Sequence, residues 1–100
     1  MILEPFIFCL AGHYLGDYSL QNDYMASYKR FDTYVLFAHA MCWVSVISIA
    51  LMYFNILTPA KFAFLVTGHF VVDFLKTKDV FGIYIDQLLH VIQVVIVAFL

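Results

Sequence analysis

Apolar residues come in four long runs, roughly 2–18, 34–54, 60–76 and 83–100, and the stretches between them are polar or turn-forming. Those stretches read SLQNDYMASYKRFDT, NILTP and KTKDVFG. Each run approaches the ~17–25 residues that a helix needs to cross the hydrocarbon of a bilayer. Pro5 and Pro59 suit first helical turns, where a missing N–H costs nothing. The runs lack period-2 alternation, which sets aside the closed β-barrel, the other backbone arrangement that can span lipid. The pattern predicts an all-α, polytopic membrane protein, a single domain over residues 1–100 with four transmembrane helices forming a bundle.

Composition strengthens that picture. The chain is 65% hydrophobic and 12% charged, with mean hydropathy +0.94, whereas soluble domains carry about 25% charged residues. A soluble domain of 100 residues could not hide so much apolar surface, so lipid is the expected solvent. The net charge of -2 argues against a nucleic-acid partner, which calls for a basic patch. Cys9 and Cys42 fall in apolar runs and read as buried thiols. The first run carries Glu4, with no basic segment before it and no small-residue cleavage site after it, so a signal peptide is not expected. Lys29, Arg30, Lys76 and Lys78 cluster at the first and third connections, while only Lys61 lies near the second. The positive-inside rule then puts connections one and three in the cytoplasm and both termini outside.

Charge inside the runs is what points to chemistry. His13 and Asp17 stand four residues apart, as do His69 and Asp73, and Asp86 and His90 repeat the spacing in reverse order. Residues at i and i+4 share a helix face, so each pair makes a prong, and His39 adds a fourth. Counted at ~1.5 Å per residue, all seven groups fall in one layer roughly 5–12 Å below the cytoplasmic interface. An aspartate at the centre of a span costs ~2.5–3.5 kcal/mol even on insertion scales, so such groups need a reason. Imidazoles and carboxylates on facing helices can bind one or two divalent metals. The expected ligands are His13, Asp17, His39, His69, Asp73 and His90, and the donor set suits zinc first, then manganese or iron. A proton or ion pathway, or purely structural hydrogen bonding between helices, are the competing readings. Gly12 and Gly16 read as a close-packing face. Gly12/Gly68, His13/His69 and Asp17/Asp73 match across the two halves, which predicts two pseudo-repeated helical hairpins about an axis along the membrane normal.

At these residues the chain resembles a bacterial integral membrane domain of unknown function, DUF3307. The resemblance lies in GHYLGDYSLQNDYMASYK (12–29), His39, GHFVVDFLK (68–76) and DQLLH (86–90), nearly the whole chain. Carried over position by position, that family's polar signature falls on His13, Asp17, Gln21, Lys29, His39, His69, Asp73, Lys76, Asp86, Gln87 and His90. It implies a bacterial inner (cytoplasmic) membrane location and little about activity. Members of the family are often longer, and this chain stops at Leu100 inside the fourth run, as a minimal or a truncated form. The layout is also similar to that of membrane-bound metal-dependent hydrolases, an analogy only.

The functional expectation is a small integral membrane protein with a divalent-metal site near the cytoplasmic interface. As an enzyme it would be a metal-dependent hydrolase acting on a lipid-linked phosphate or ester. Asp86 would then be the catalytic base, and Gln21, Lys29, Arg30, Lys76 and Gln87 would hold the substrate. The rivals are a proton or divalent-ion transporter or channel subunit, in homo-oligomeric form, and a non-enzymatic assembly or regulatory subunit. Against a conduit, the outer halves SVISIALMYF (45–54) and VIQVVIVAFL (91–100) carry only Ser45, Ser48 and Gln93 as polar groups.

Overall fold

The computed structural model describes residues 3–19, 27–28 and 31–100, with the side chains of Tyr18 and Ser19 left aside. Among these residues the chain is all-α, with four helices. They are α1 (Leu3–Tyr14), α2 (Thr33–Tyr53), α3 (Pro59–Thr77) and α4 (Ile83–Phe99). Helix α1 does not continue as α-helix to the end of the first apolar run: Leu15–Ser19 form a π-helical turn. Closing a turn at i+5 rather than i+4 widens the helix and rotates the residues beyond it. Asp17 therefore points differently, relative to His13, from the regular i,i+4 prong expected.

Local chemistry explains where the helices begin and end. Asp32 is extended (φ -130, ψ 112) and its carboxylate accepts from Tyr34 N at 2.9 Å, capping α2. Thr58 Oγ1 caps α3 by accepting from Lys61 N at 3.1 Å, with Pro59 in the first turn. Both α2 and α3 end in the same backbone device, a 6→1 hydrogen bond closing over a left-handed residue. Ile56 N donates to Leu51 O at 3.0 Å past Asn55 (φ 59), and Val80 N donates to Leu75 O at 3.2 Å past Asp79 (φ 60). Asn and Asp tolerate that conformation better than other side chains short of glycine.

The closest packing runs round a ring, α1 on α2, α2 on α3, α3 on α4 and α4 back on α1. Short connections between α2, α3 and α4 make those neighbours antiparallel. The interior has two storeys. One end is apolar, with Cys9, Val44, Ile47, Leu51, Leu65, Val94 and Val97 buried around Trp43. The other end holds histidine and aspartate. Glycines let the helices close: a Cβ on Gly16 would stand 2.8 Å from Trp43 Cα, so only glycine allows the π-helical turn to lie this near α2.

The outside is apolar as well. Large hydrophobic side chains are exposed on every helix, among them Ile7, Phe8, Ile49, Met52, Phe64, Val71, Leu88 and Ile92. Among the described residues, Thr33–Tyr53 is the one helix long and apolar enough to cross a membrane, while Ile83–Phe99 is apolar but shorter.

Candidate metal centre

All four histidines and three of the aspartates lie together in the polar storey. His13, His39, His69 and His90 are fully buried, Asp73 and Asp86 nearly so, and Asp17 is 8% exposed. His13 and Asp17 come from the end of α1 and its π-helical turn, and His39 from the second turn of α2. His69 and Asp73 come from the second half of α3, and Asp86 and His90 from the first two turns or so of α4. Two groups of three donors are compact enough to hold a metal ion: Asp17, His39 and His69, and Asp17, Asp86 and His90. In each, the donor atoms lie within 4.8 Å of one another.

The pairings cross between helices more than along them. His39 Nε2 donates to Asp17 Oδ1 at 3.2 Å and lies 3.7 Å from Asp73 Oδ2. His69 Nε2 is also 3.7 Å from Asp17 Oδ1. Of the expected i,i+4 pairs, Asp86 and His90 meet directly, with Oδ1 and Nε2 3.3 Å apart. Two donors sharing one tetrahedral zinc, with bonds of ~2.0–2.2 Å, sit roughly 3.3–3.5 Å apart. The pairs at 3.2–3.7 Å bracket that value, and both groups of three are compact enough to hold such an ion.

His13 has a different position. Trp43 Nε1, which can only donate, gives its hydrogen to His13 Nδ1 at 2.8 Å. His13 must then carry its proton on Nε2, which donates to Gln87 Oε1 at 2.9 Å. That fixes the Gln87 amide, whose nitrogen donates to Asp17 Oδ2 at 2.7 Å and Asp86 Oδ2 at 3.1 Å. Both ring nitrogens of His13 are thus used, and its lone pair is not aimed at an ion. His13 and Asp17, expected as one prong, are joined through a glutamine some seventy residues further along. Gln87 is a carboxylate-orienting residue here. Lys76 Nζ lies 3.8 Å from Asp86 Oδ2, its side chain 30% exposed. With Gln87 and Lys76 on one oxygen and His90 facing the other, Asp86 is fastened into the layer rather than held out towards a substrate. Gln21, Lys29 and Arg30 lie outside the described residues.

Two participants were not singled out from sequence. Trp43 sits one turn after His39, so the i+4 spacing that flagged the histidine pairs also reaches it. Its ring lies 4.3 Å from that of His69 and 5.4 Å from that of His90. Gln93, one turn after His90, accepts from His90 Nδ1 at 3.2 Å. Gly68 makes room for it, because a Cβ there would collide with the Gln93 amide.

Several buried polar atoms in the layer make no hydrogen bond among the described residues: His39 Nδ1, both nitrogens of His69, Asp86 Oδ1 and His90 Nε2. Leaving such atoms unsatisfied costs ~1–3 kcal/mol each. With neutral imidazoles, three carboxylates face one described lysine, so the layer is short of positive charge. A divalent cation would relieve both conditions. A small cavity of about 100 Å³, lined by Phe31, Asp32, Thr33, Leu36, Phe74, Thr77 and Lys78, lies one turn beyond His39 and Asp73 towards the polar end.

The family model for DUF3307, proteins of unknown function, matches residues 6–100. That is nearly the whole chain, and the chain belongs to this family. Among curated proteins and solved structures, none matches it.

Proposed function

We propose that this member of the DUF3307 family is an integral membrane protein whose four helices all cross the bilayer and enclose a divalent-metal centre near the cytoplasmic face. One observation carries the reading: every histidine and three aspartates meet in a buried layer while the outer surface of all four helices is apolar. Such an inside-out distribution suits lipid outside and an ion within. Asp17, His39 and His69 are the central ligands, with Asp73 beside His39. His13, Trp43 and Gln87 orient the carboxylates, the role outer partners play around metal sites. Zinc is the first choice, with manganese or iron next.

The chemistry that suits this centre is hydrolysis of a phosphate or ester group on a lipid. A bound divalent ion supplies water acidified towards a pKa of ~7 and a Lewis acid for the oxygen under attack. Lys76, whose side chain is 30% exposed, is the group that receives an anionic head group. The small cavity at the polar end supports approach from that side.

The test is metal content by plasma mass spectrometry on protein purified in detergent without a metal-affinity step. Near-stoichiometric zinc, manganese or iron is expected in the wild type, and its loss in a folded His69→Ala/Asp73→Ala variant. An ion-free wild type that also stays empty after reconstitution would sink the proposal. Metal-loaded protein is then offered phosphate-ester and carboxyl-ester lipids, with release of the head group as readout.

A further inference from the structure

We propose that the centre is dinuclear, with Asp17 as a bridging carboxylate between two divalent ions. One ion is held with His39 and His69, the other with Asp86 and His90. This rests on the metal reading above and goes beyond it in number, bridge and order of filling.

The two oxygens of Asp17 face different ways. Oδ1 meets His39 and His69 at 3.2 and 3.7 Å. Oδ2 meets the Gln87 amide at 2.7 Å, and the same nitrogen reaches Asp86 Oδ2 at 3.1 Å. A carboxylate splayed between two donor groups is what a bridge requires. Stacking of the His69 and His90 rings, 4.2 Å between centroids and 14° between planes, sets the two groups side by side.

The second group offers a place for a cation on its own account. With the Gln93 amide oxygen accepting from His90 Nδ1, the proton of His90 is on that nitrogen. Its Nε2 lone pair then faces Asp86 Oδ1 at 3.3 Å. Both atoms are buried and neither makes a hydrogen bond among the described residues. Two acceptors facing one another at this distance repel unless a second proton on His90 or a metal cation lies between them, and a divalent ion can take that place. On the neighbouring group, His69 is fully buried with both nitrogens similarly unsatisfied.

Charge sets the order of filling. One divalent ion, together with Lys76, balances Asp17, Asp73 and Asp86. A second ion brings surplus positive charge and must compete with Lys76 for Asp86. The second ion is therefore the weaker, and its arrival frees the Lys76 ammonium to meet an anion on the more open side of the layer.

The experiment is a manganese(II) titration of the full chain in detergent. Bound metal is counted after equilibrium dialysis, and electron paramagnetic resonance reads exchange coupling between ions. The wild type should take up two ions per chain and show a coupled signal, as expected for metals ~3.5–4 Å apart. An Asp86→Asn/His90→Ala variant should hold one uncoupled ion, and Asp17→Asn should lose the coupling. Lys76→Met, which leaves every ligand intact, should bind the second ion several-fold more tightly. Saturation of the wild type at one uncoupled ion overturns the dinuclear proposal and leaves the single-metal reading standing. Failure to bind any ion ends both. Because the wild-type count decides, a variant that does not fold leaves the outcome unchanged.

Discussion

Gly16 and Gly68 differ in what a methyl group would strike, and that difference is testable. At Gly16 the obstacle is the Trp43 backbone, 2.8 Å away, which cannot move without shifting α2. Gly16→Ala should cost ~1–3 kcal/mol, as overpacking does, and carry Asp17 away from His39. At Gly68 the obstacle is the flexible end of Gln93. The ~0.5–1 kcal/mol gained by alanine in a helix roughly offsets the lost Gln93–His90 hydrogen bond. Thermal unfolding in detergent should therefore separate the two, with Gly16→Ala melting lower and Gly68→Ala near wild type. Trp43 supplies a second probe, since it is the single tryptophan and its ring touches the layer. Cobalt(II) or copper(II) bound there should quench its fluorescence, and magnesium should not. Absence of quenching at saturating metal would count against ions in this layer. The tautomers also set the sign of the pH effect. An ion bound through His39 Nε2 needs a neutral ring with its proton moved to Nδ1, so acid that protonates the imidazoles and carboxylates competes with the ion. Metal occupancy should fall as pH is lowered from about 8 to about 5, and dialysis at fixed metal concentration measures it.

At the scale of elements, the ends of α2 and α3 rest on single left-handed residues. Asn55→Val places a β-branched side chain at φ 59 and should cost ~1–2 kcal/mol, whereas Asn55→Gly should be neutral or mildly stabilising. Equal melting temperatures for the two variants would show that this turn contributes nothing to stability. The π-helical turn matters more for the site. It lets α1 deliver Asp17 into the space between α2 and α3 while His13 stays against Trp43 and Gln87. Helix limits were legible to within a few residues from hydropathy and Pro59, because apolar runs and first-turn prolines are local properties. The π-helical turn was not legible, since it answers to the crowding of Gly16 against Trp43, a contact across twenty-seven residues of sequence.

For the molecule as a whole, the membrane proposal predicts that the protein stays in the pellet after alkaline carbonate washing and is released only by detergent. Extraction by carbonate alone would refute the bilayer reading. Reporter fusions at the two ends and in the 54–58 connection should report one side, opposite to the 78–82 connection. The sequence by itself determined the four-helix, all-α character, the family, and the set of polar residues that share a layer. Period, composition and residue spacing act within one helix, and depth along a helix is simply counted. Tertiary structure alone decided the pairings between helices: Asp17 with His39, His69 and Gln87, His13 with Trp43 and Gln87, Asp86 with Lys76. Those depend on how far each helix is rotated and how closely glycines let it approach. That choice is made by packing across the bundle, where residues seventy positions apart become hydrogen-bond partners.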